Sequence, residues 1–176
     1  DAVREILAFR PGRPVLLAES GAVEPRHTGP FRLYAVDRRG IILHDVLFAP
    51  FFAGAAGPGH IWHWDRYVDA NDLWWHFRRF AEAVKEIDPP ADAFEPFLIE
   101  HPRLKVYGLA GKKALLAWCR DRQNTWVTEL RDGRAPETIE GAEIGFGAKV
   151  PDAARIRTYD LWQDRWTESE ARDGRI

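Results

Sequence analysis

Glu19 is the residue whose type and position most directly indicate chemistry in this chain of 176 residues. It closes the apolar run 14–18, and the turn residues Ser20 and Gly21 follow it. A short apolar run that ends at a turn is typical of a buried parallel strand. A carboxylate at the exit of such a strand stands where barrel enzymes keep their catalytic groups. We therefore predict a catalytic Glu19, with a solvated or arginine-paired carboxylate as the alternative.

The segment 60–65 is a second candidate, because it combines two tryptophans with an aspartate and two histidines. If the segment is a strand, alternation places Trp62 and Trp64 on the same face. Indole offers a flat apolar face and an N–H donor at its edge, which suit a sugar ring. We expect Trp64 to bind a ligand, Trp62 to be either ligand floor or core, and Asp65 to bind the ligand or anchor its loop.

Metal ligation by this segment is not expected. Strand alternation separates His60 from His63 and Asp65, so the three side chains cannot converge on one ion. No cofactor is predicted either. The loop 21–34 is longer than a connection between a strand and a helix requires, and such loops tend to be functional. His27 in this loop is a further candidate for substrate binding, with solvated surface as its alternative.

Two helices are predicted to support these residues. Asp37 is placed to cap a helix over 38–52, and Asn71 or Asp72 to cap a second one. In the second helix the apolar stripe, which includes Trp74, is predicted to face the core. Strand, helix, strand and helix in this order form the unit of a parallel α/β sheet or barrel.

The double proline at 89–90 divides the chain, because it forbids helix continuation. Residues 1–88 are predicted to form an α/β domain, 89–96 a linker, and 97–176 an all-β domain. Two apolar runs around a glycine turn, 104–109 and 114–119, predict a hairpin. Further short strands are expected, which together favour a β-sandwich; they lie at 125–127, 142–146 and 154–162.

Three series of residues, 17–21, 44–57 and 62–67, resemble the last two βα units of cellulase-like glycoside hydrolases of clan A. The resemblance implies α/β plus all-β architecture: the C-terminal part of a (β/α)8 TIM barrel followed by a small antiparallel β-sandwich. It implies that Glu19 is the nucleophile of a retaining mechanism and that Trp62 and Trp64 lie beneath the sugar.

The resemblance also implies a catalytic partner outside this sequence. Retaining hydrolysis needs two carboxyl groups about 5 Å apart, and the family's acid/base glutamate falls upstream of Asp1. The chain lacks methionine and begins with Asp1, so we expect the natural start to lie upstream or to have been removed. The expected partners are a carbohydrate substrate and the missing N-terminal part of the barrel, without which this fragment is predicted to be inactive. The alternative is a noncatalytic carbohydrate-binding or structural β-sandwich module with a barrel remnant.

Composition excludes other classes. The net charge is −2 and the 25 basic residues are scattered among acidic ones, so nucleic-acid binding is not expected. No apolar stretch is long enough to predict a membrane span. The single cysteine, Cys119, permits no internal disulfide and is expected to be a buried thiol. The compartment stays open.

Overall fold

The computed structural model describes residues 2–9, 12–150 and 154–171. Four α-helices and five strands are the regular elements of this part of the chain. The helices are α1 Ala2–Ala8, α2 Ile41–Phe52, α3 Trp75–Val84 and α4 Pro89–Asp92. The strands are β1 Glu95–Glu100, β2 Leu104–Ala110, β3 Leu115–Asp121, β4 Arg155–Asp160 and β5 Arg165–Glu170. The short 3₁₀ and π-helical turns are Pro25–His27, Arg32–Ala35, Asp65–Asp69, Val127–Arg131 and Gly147–Lys149.

The predicted combination of two barrel βα units with a β-sandwich is wrong. The described strands form an antiparallel sheet in the order β1-β2-β3 and a separate antiparallel hairpin of β4 and β5, and none of them closes a barrel. The apolar run 14–18 is not a buried strand, because Leu16 is 63% exposed. A single parallel bridge, between Ser20 and Ile61, follows the run, and after Ile61 the chain turns into the π-helical turn Asp65–Asp69.

Helix α2 begins at Ile41 instead of residue 38, and Gly40 instead of Asp37 occupies the N-cap position. The side chain of Asp37 caps the first amides of the helix from three residues before Gly40. The Asp37 carboxylate is fully buried and accepts hydrogen bonds from the backbone N–H groups of Ile41 and Ile42, both at 2.9 Å. It also accepts the hydroxyl of Tyr67 at 2.5 Å. Gly40 delays the helix because its φ of 72° is left-handed, and a Cβ there would overlap the ring of His76.

The main core forms around α2, which is apolar on nearly its whole circumference. Nine of its twelve residues are buried, as expected for a helix covered on several sides. Phe48 packs edge-on against Phe80 of α3, with ring centroids 5.1 Å apart. On the side of the sheet, the indole N–H of Trp118 in β3 donates to Nε2 of His44 at 3.1 Å. One helix therefore joins α3 to the three-stranded sheet.

The second region contains the predicted hairpin, which is confirmed as β2 and β3 with Leu109 opposite Leu116. The strand expected at 154–162 is present as β4. The strand expected at 125–127 is wrong, since Val127–Arg131 forms a π-helical turn, and no strand is assigned to the described residues 142–146. The described strands do not form a sandwich, because the three-stranded sheet packs on α2 instead of on a second sheet.

The prediction of a buried Cys119 is wrong. Cys119 is exposed on β3, because its neighbour Trp118 takes the inward position of the strand.

Among the helices that the structure describes, none has the length and apolar character needed to cross a bilayer.

Candidate functional site

Glu19 and the segment 60–66 line one open cavity of about 780 Å³. The backbone brings them together through a short parallel pairing. The N–H of Ser20 donates to the carbonyl of His60 at 2.9 Å, and the N–H of Trp62 donates back to the carbonyl of Ser20 at 3.0 Å. The two chain segments therefore end at the same edge, with Glu19 beside the tryptophans.

Gly21 makes this close approach possible. Its φ of 110° lies in the region that favours glycine, and an added Cβ would meet the hydroxyl of Tyr34 and the side chain of Ile61. The same Tyr34 hydroxyl accepts the N–H of Ala22 at 2.6 Å. Tyr34 stacks on Tyr67 with ring centroids 4.2 Å apart, and both rings are buried. The turn at Gly21, beside Glu19, is thus linked through Tyr34 and the Tyr67 hydroxyl to Asp37, which caps α2.

The two tryptophans predicted as a sugar floor are both solvent-accessible. Trp62 is 59% exposed and Trp64 is 56% exposed, so neither belongs to the core. Both line the cavity together with Glu19. The strand alternation predicted for this segment does not hold, because the backbone turns at 62–64 and brings Asp65 to the same cavity.

The carboxylates at the cavity differ in their partners. Within the part of the chain that the structure describes, Glu19 has neither a hydrogen-bond nor a salt-bridge partner. No described arginine therefore pairs with Glu19, in contrast to the alternative predicted from the sequence. Asp65 pairs with the side chain of its neighbour Arg66 at 3.3 Å. Both side chains of that pair are largely exposed, so the pair adds little stability and opens easily for a ligand.

His27 is not brought to this cavity. It ends the turn Pro25–His27 with a left-handed φ of 57°, and it is exposed. The carboxylate of Glu24, in the same loop, accepts the N–H of Arg32 at 2.7 Å and so holds the loop together. Neither residue lines the cavity with Glu19.

The histidines of the segment are near the site without forming a metal centre. His60 and His63 both line the cavity, and the ring of His63 lies 6.4 Å from that of Tyr34. Among the described residues, no group of three or more histidine, cysteine, aspartate or glutamate side chains could hold a metal ion. The donors that remain for a ligand are imidazole N–H groups, the Arg66 guanidinium and indole edges.

Trp74 is the residue that sequence reasoning misplaced. It was predicted to lie on the core stripe of the second helix, yet it is 44% exposed. Trp74 is the N-cap of α3, and the buried face of this segment runs through Leu73, His76 and Phe80, so Trp74 lies beside that face. The ring of Trp74 lies 6.3 Å from that of Trp64.

A second cavity of about 480 Å³ lies on the other side of Ser20. Its lining is mainly aliphatic and aromatic, with Asp45 of α2 as its carboxylate. Arg120 of β3 holds this carboxylate at 2.7 Å. Burial raises the pKa of Asp45, and Arg120 opposes the rise. This carboxylate links α2 to the sheet and is not free for a ligand.

No protein-family model matches the chain, and comparison with curated proteins and with solved structures also gave no match. The likeness to clan A hydrolases therefore remains a resemblance of short residue series. What the site can do follows from its geometry.

Proposed function

We propose that the cavity bordered by Glu19, Trp62, Trp64 and Asp65 binds a sugar ring of a β-glycoside, and that Glu19 is the nucleophile of a retaining glycoside hydrolase. One observation supports this proposal above the others. Two exposed indoles and a carboxylate without a described partner line the same open cavity, although they are far apart in the sequence.

The chemistry assigns a different task to each group. The indole faces of Trp62 and Trp64 pack against the C–H groups of the ring and hold it in place. An oxygen of Glu19 attacks the anomeric carbon while the bond from that carbon to the leaving oxygen breaks. The leaving oxygen takes a proton from a second carboxylic acid, which then deprotonates the water that releases the sugar from Glu19. Asp65 accepts hydrogen bonds from sugar hydroxyls at the rim.

The second carboxylic acid is assigned to a part of the protein outside these 176 residues, as the family resemblance implies. The described residues offer two alternatives, and neither fits. Glu24 accepts a backbone N–H of its own loop and does not line the cavity, and Asp65 is assigned to the sugar hydroxyls at the rim.

Saccharide binding can be measured on this chain directly. Isothermal titration with gluco-, manno- and xylo-oligosaccharides should show binding of at least one series. Trp64→Ala should weaken it by about 1–2.5 kcal/mol, because roughly 50–100 Å² of apolar contact at about 25 cal/mol per Å² is lost. Leu98, an exposed residue of β1 outside the cavity lining, gives the matched control Leu98→Ala, which should bind like the wild type.

The role of Glu19 needs a form of the protein that also carries the acid/base. In that form Glu19→Gln should abolish turnover of an aryl β-glycoside and leave saccharide binding measurable. Turnover retained by Glu19→Gln would reject the nucleophile.

A noncatalytic carbohydrate-binding module is the second candidate. It is favoured by the same exposed indoles, because stacking alone is sufficient for binding and needs no second carboxylate. Turnover distinguishes the two candidates. A binding module binds saccharide but shows no turnover in any form of the protein, including one that supplies the acid/base.

A further inference from the structure

We propose that the saccharide site continues from the Glu19 cavity onto the indole of Trp74, so that the ligand is an oligo- or polysaccharide with at least two rings in contact with the protein. One ring occupies the cavity, and the next lies on Trp74. This inference rests on the proposed function and names the length of the substrate that the site takes.

Continuity of the aromatic surface is the first observation. Trp64 lines the cavity, and its ring centroid lies 6.3 Å from that of Trp74 with an angle of 51° between the planes. The two indoles are both largely exposed, at 56% and 44%. A chain of linked sugars that leaves the cavity over Trp64 therefore meets a second indole at once.

Trp74 is also held in place before any ligand arrives. Its indole N–H donates to the carboxylate of Asp69 at 3.1 Å, and its ring contacts that of Phe77 at 5.6 Å. Leu73 beside it is fully buried, and its N–H donates to the carbonyl of Val68 at 2.9 Å. The chain is therefore anchored one residue before the indole. A side chain that is already fixed loses little freedom when a ligand binds to it.

The polarity of this surface fits a sugar better than a protein partner. Exposed patches that bind proteins are large apolar areas. Here the Asp65 carboxylate and the Arg66 guanidinium line the cavity together with Trp64, and the exposed Asp69 carboxylate accepts the N–H of Trp74. Flat apolar faces with charged acceptors and donors at their edges match a ring that has C–H faces and a hydroxyl rim.

Oligosaccharides of two and six units test the inference on the 176-residue chain, using the gluco, manno and xylo series as probes. Trp74→Ala should weaken binding of the six-unit ligand at least tenfold and change binding of the two-unit ligand less than twofold. Asp69→Ala frees the indole without removing it, and should give a smaller loss for the six-unit ligand alone. Trp64→Ala should weaken both lengths, and the control Leu98→Ala neither. Circular dichroism and light scattering on each variant accompany the titrations.

The outcomes separate this inference from the proposed function. If Trp64→Ala weakens binding while Trp74→Ala affects neither length, the extension onto Trp74 is overturned and the proposed function stands. If Trp74→Ala instead changes self-association without changing affinity for the six-unit ligand, its indole belongs to a protein interface and the extension is overturned. If neither length of any series binds the wild type, both proposals are overturned.

Discussion

Acid should destabilise this protein through His76, a fully buried residue of α3. Its Nε2 lies 2.8 Å from the carbonyl oxygen of Arg39 and donates to it, while Nδ1 is buried without a described partner. Burial lowers the pKa of His76 from 6.5 to about 4; Arg79 adds to the fall, and the Arg39 carbonyl and Asp37 oppose it. The unfolded chain therefore binds a proton at a higher pH than the folded chain does.

The sign and size of the effect follow from this difference in pKa. A histidine whose pKa is depressed in the folded state contributes stability above pH 6.5, and that contribution is lost as the pH falls towards 4. The full difference corresponds to about 3 kcal/mol, of which about 2 kcal/mol is lost between pH 7 and pH 5. His44 adds to the loss in the same direction, because burial, Arg120 and His76 lower its pKa well below 6.5.

Urea unfolding followed by tryptophan fluorescence at pH 7, 6 and 5 measures this loss. His76→Gln keeps an amide N–H for the Arg39 carbonyl but does not titrate, so its free energy of unfolding should depend less on pH by about 2 kcal/mol. His27→Gln, at an exposed histidine, is the matched control and should follow the wild type. An equal loss of stability in the wild type and in His76→Gln between pH 7 and pH 5 would refute the reasoning.

Two further substitutions test the supports of the site. Asp37→Ala leaves the first two amides of α2 and the Tyr67 hydroxyl without their buried acceptor, and should cost about 2–4 kcal/mol in urea unfolding. Asp37→Asn keeps one oxygen and should lose less; equal losses would contradict the cap. Gly21→Ala should cost about 1–3 kcal/mol and weaken saccharide binding, because its Cβ meets Tyr34 and shifts the backbone beside Glu19. Gly29→Ala, where a Cβ meets nothing, should change neither.

Features that local chemistry determines could be predicted from the sequence. The Asp37 cap and the hairpin of β2 and β3 need only a carboxylate before an apolar helix and a glycine turn between apolar runs. The strand predicted at 14–18 failed for the opposite reason. An apolar run can be a buried strand or an irregular segment. Which of the two forms depends on whether other strands pair with both edges of the run. Here Leu16 is left exposed.

The site residues show the same limit. Glu19, Trp62, Trp64 and Asp65 were singled out by residue type, and they line one cavity, but the expected alternation would have turned Asp65 away. A turn at 62–64 reorients the segment, and a pattern of period two cannot anticipate it. Trp74 was assigned to the core because the predicted apolar stripe was wider than the buried face, which runs through Leu73, His76 and Phe80.

In the segment 61–74, the residues that anchor the backbone are different from those that face solvent. The buried anchors are Ile61, Tyr67, Val68 and Leu73. Trp62, Trp64 and Trp74 lie between or beside these anchors and face solvent. An exposed indole gains little from folding, because its apolar surface stays in water, so stability alone does not account for three of them on one short segment. Because the anchors and the indoles are different residues, truncating an indole should weaken saccharide binding and leave the free energy of unfolding nearly unchanged. Truncating an anchor should lower both the affinity and the free energy of unfolding.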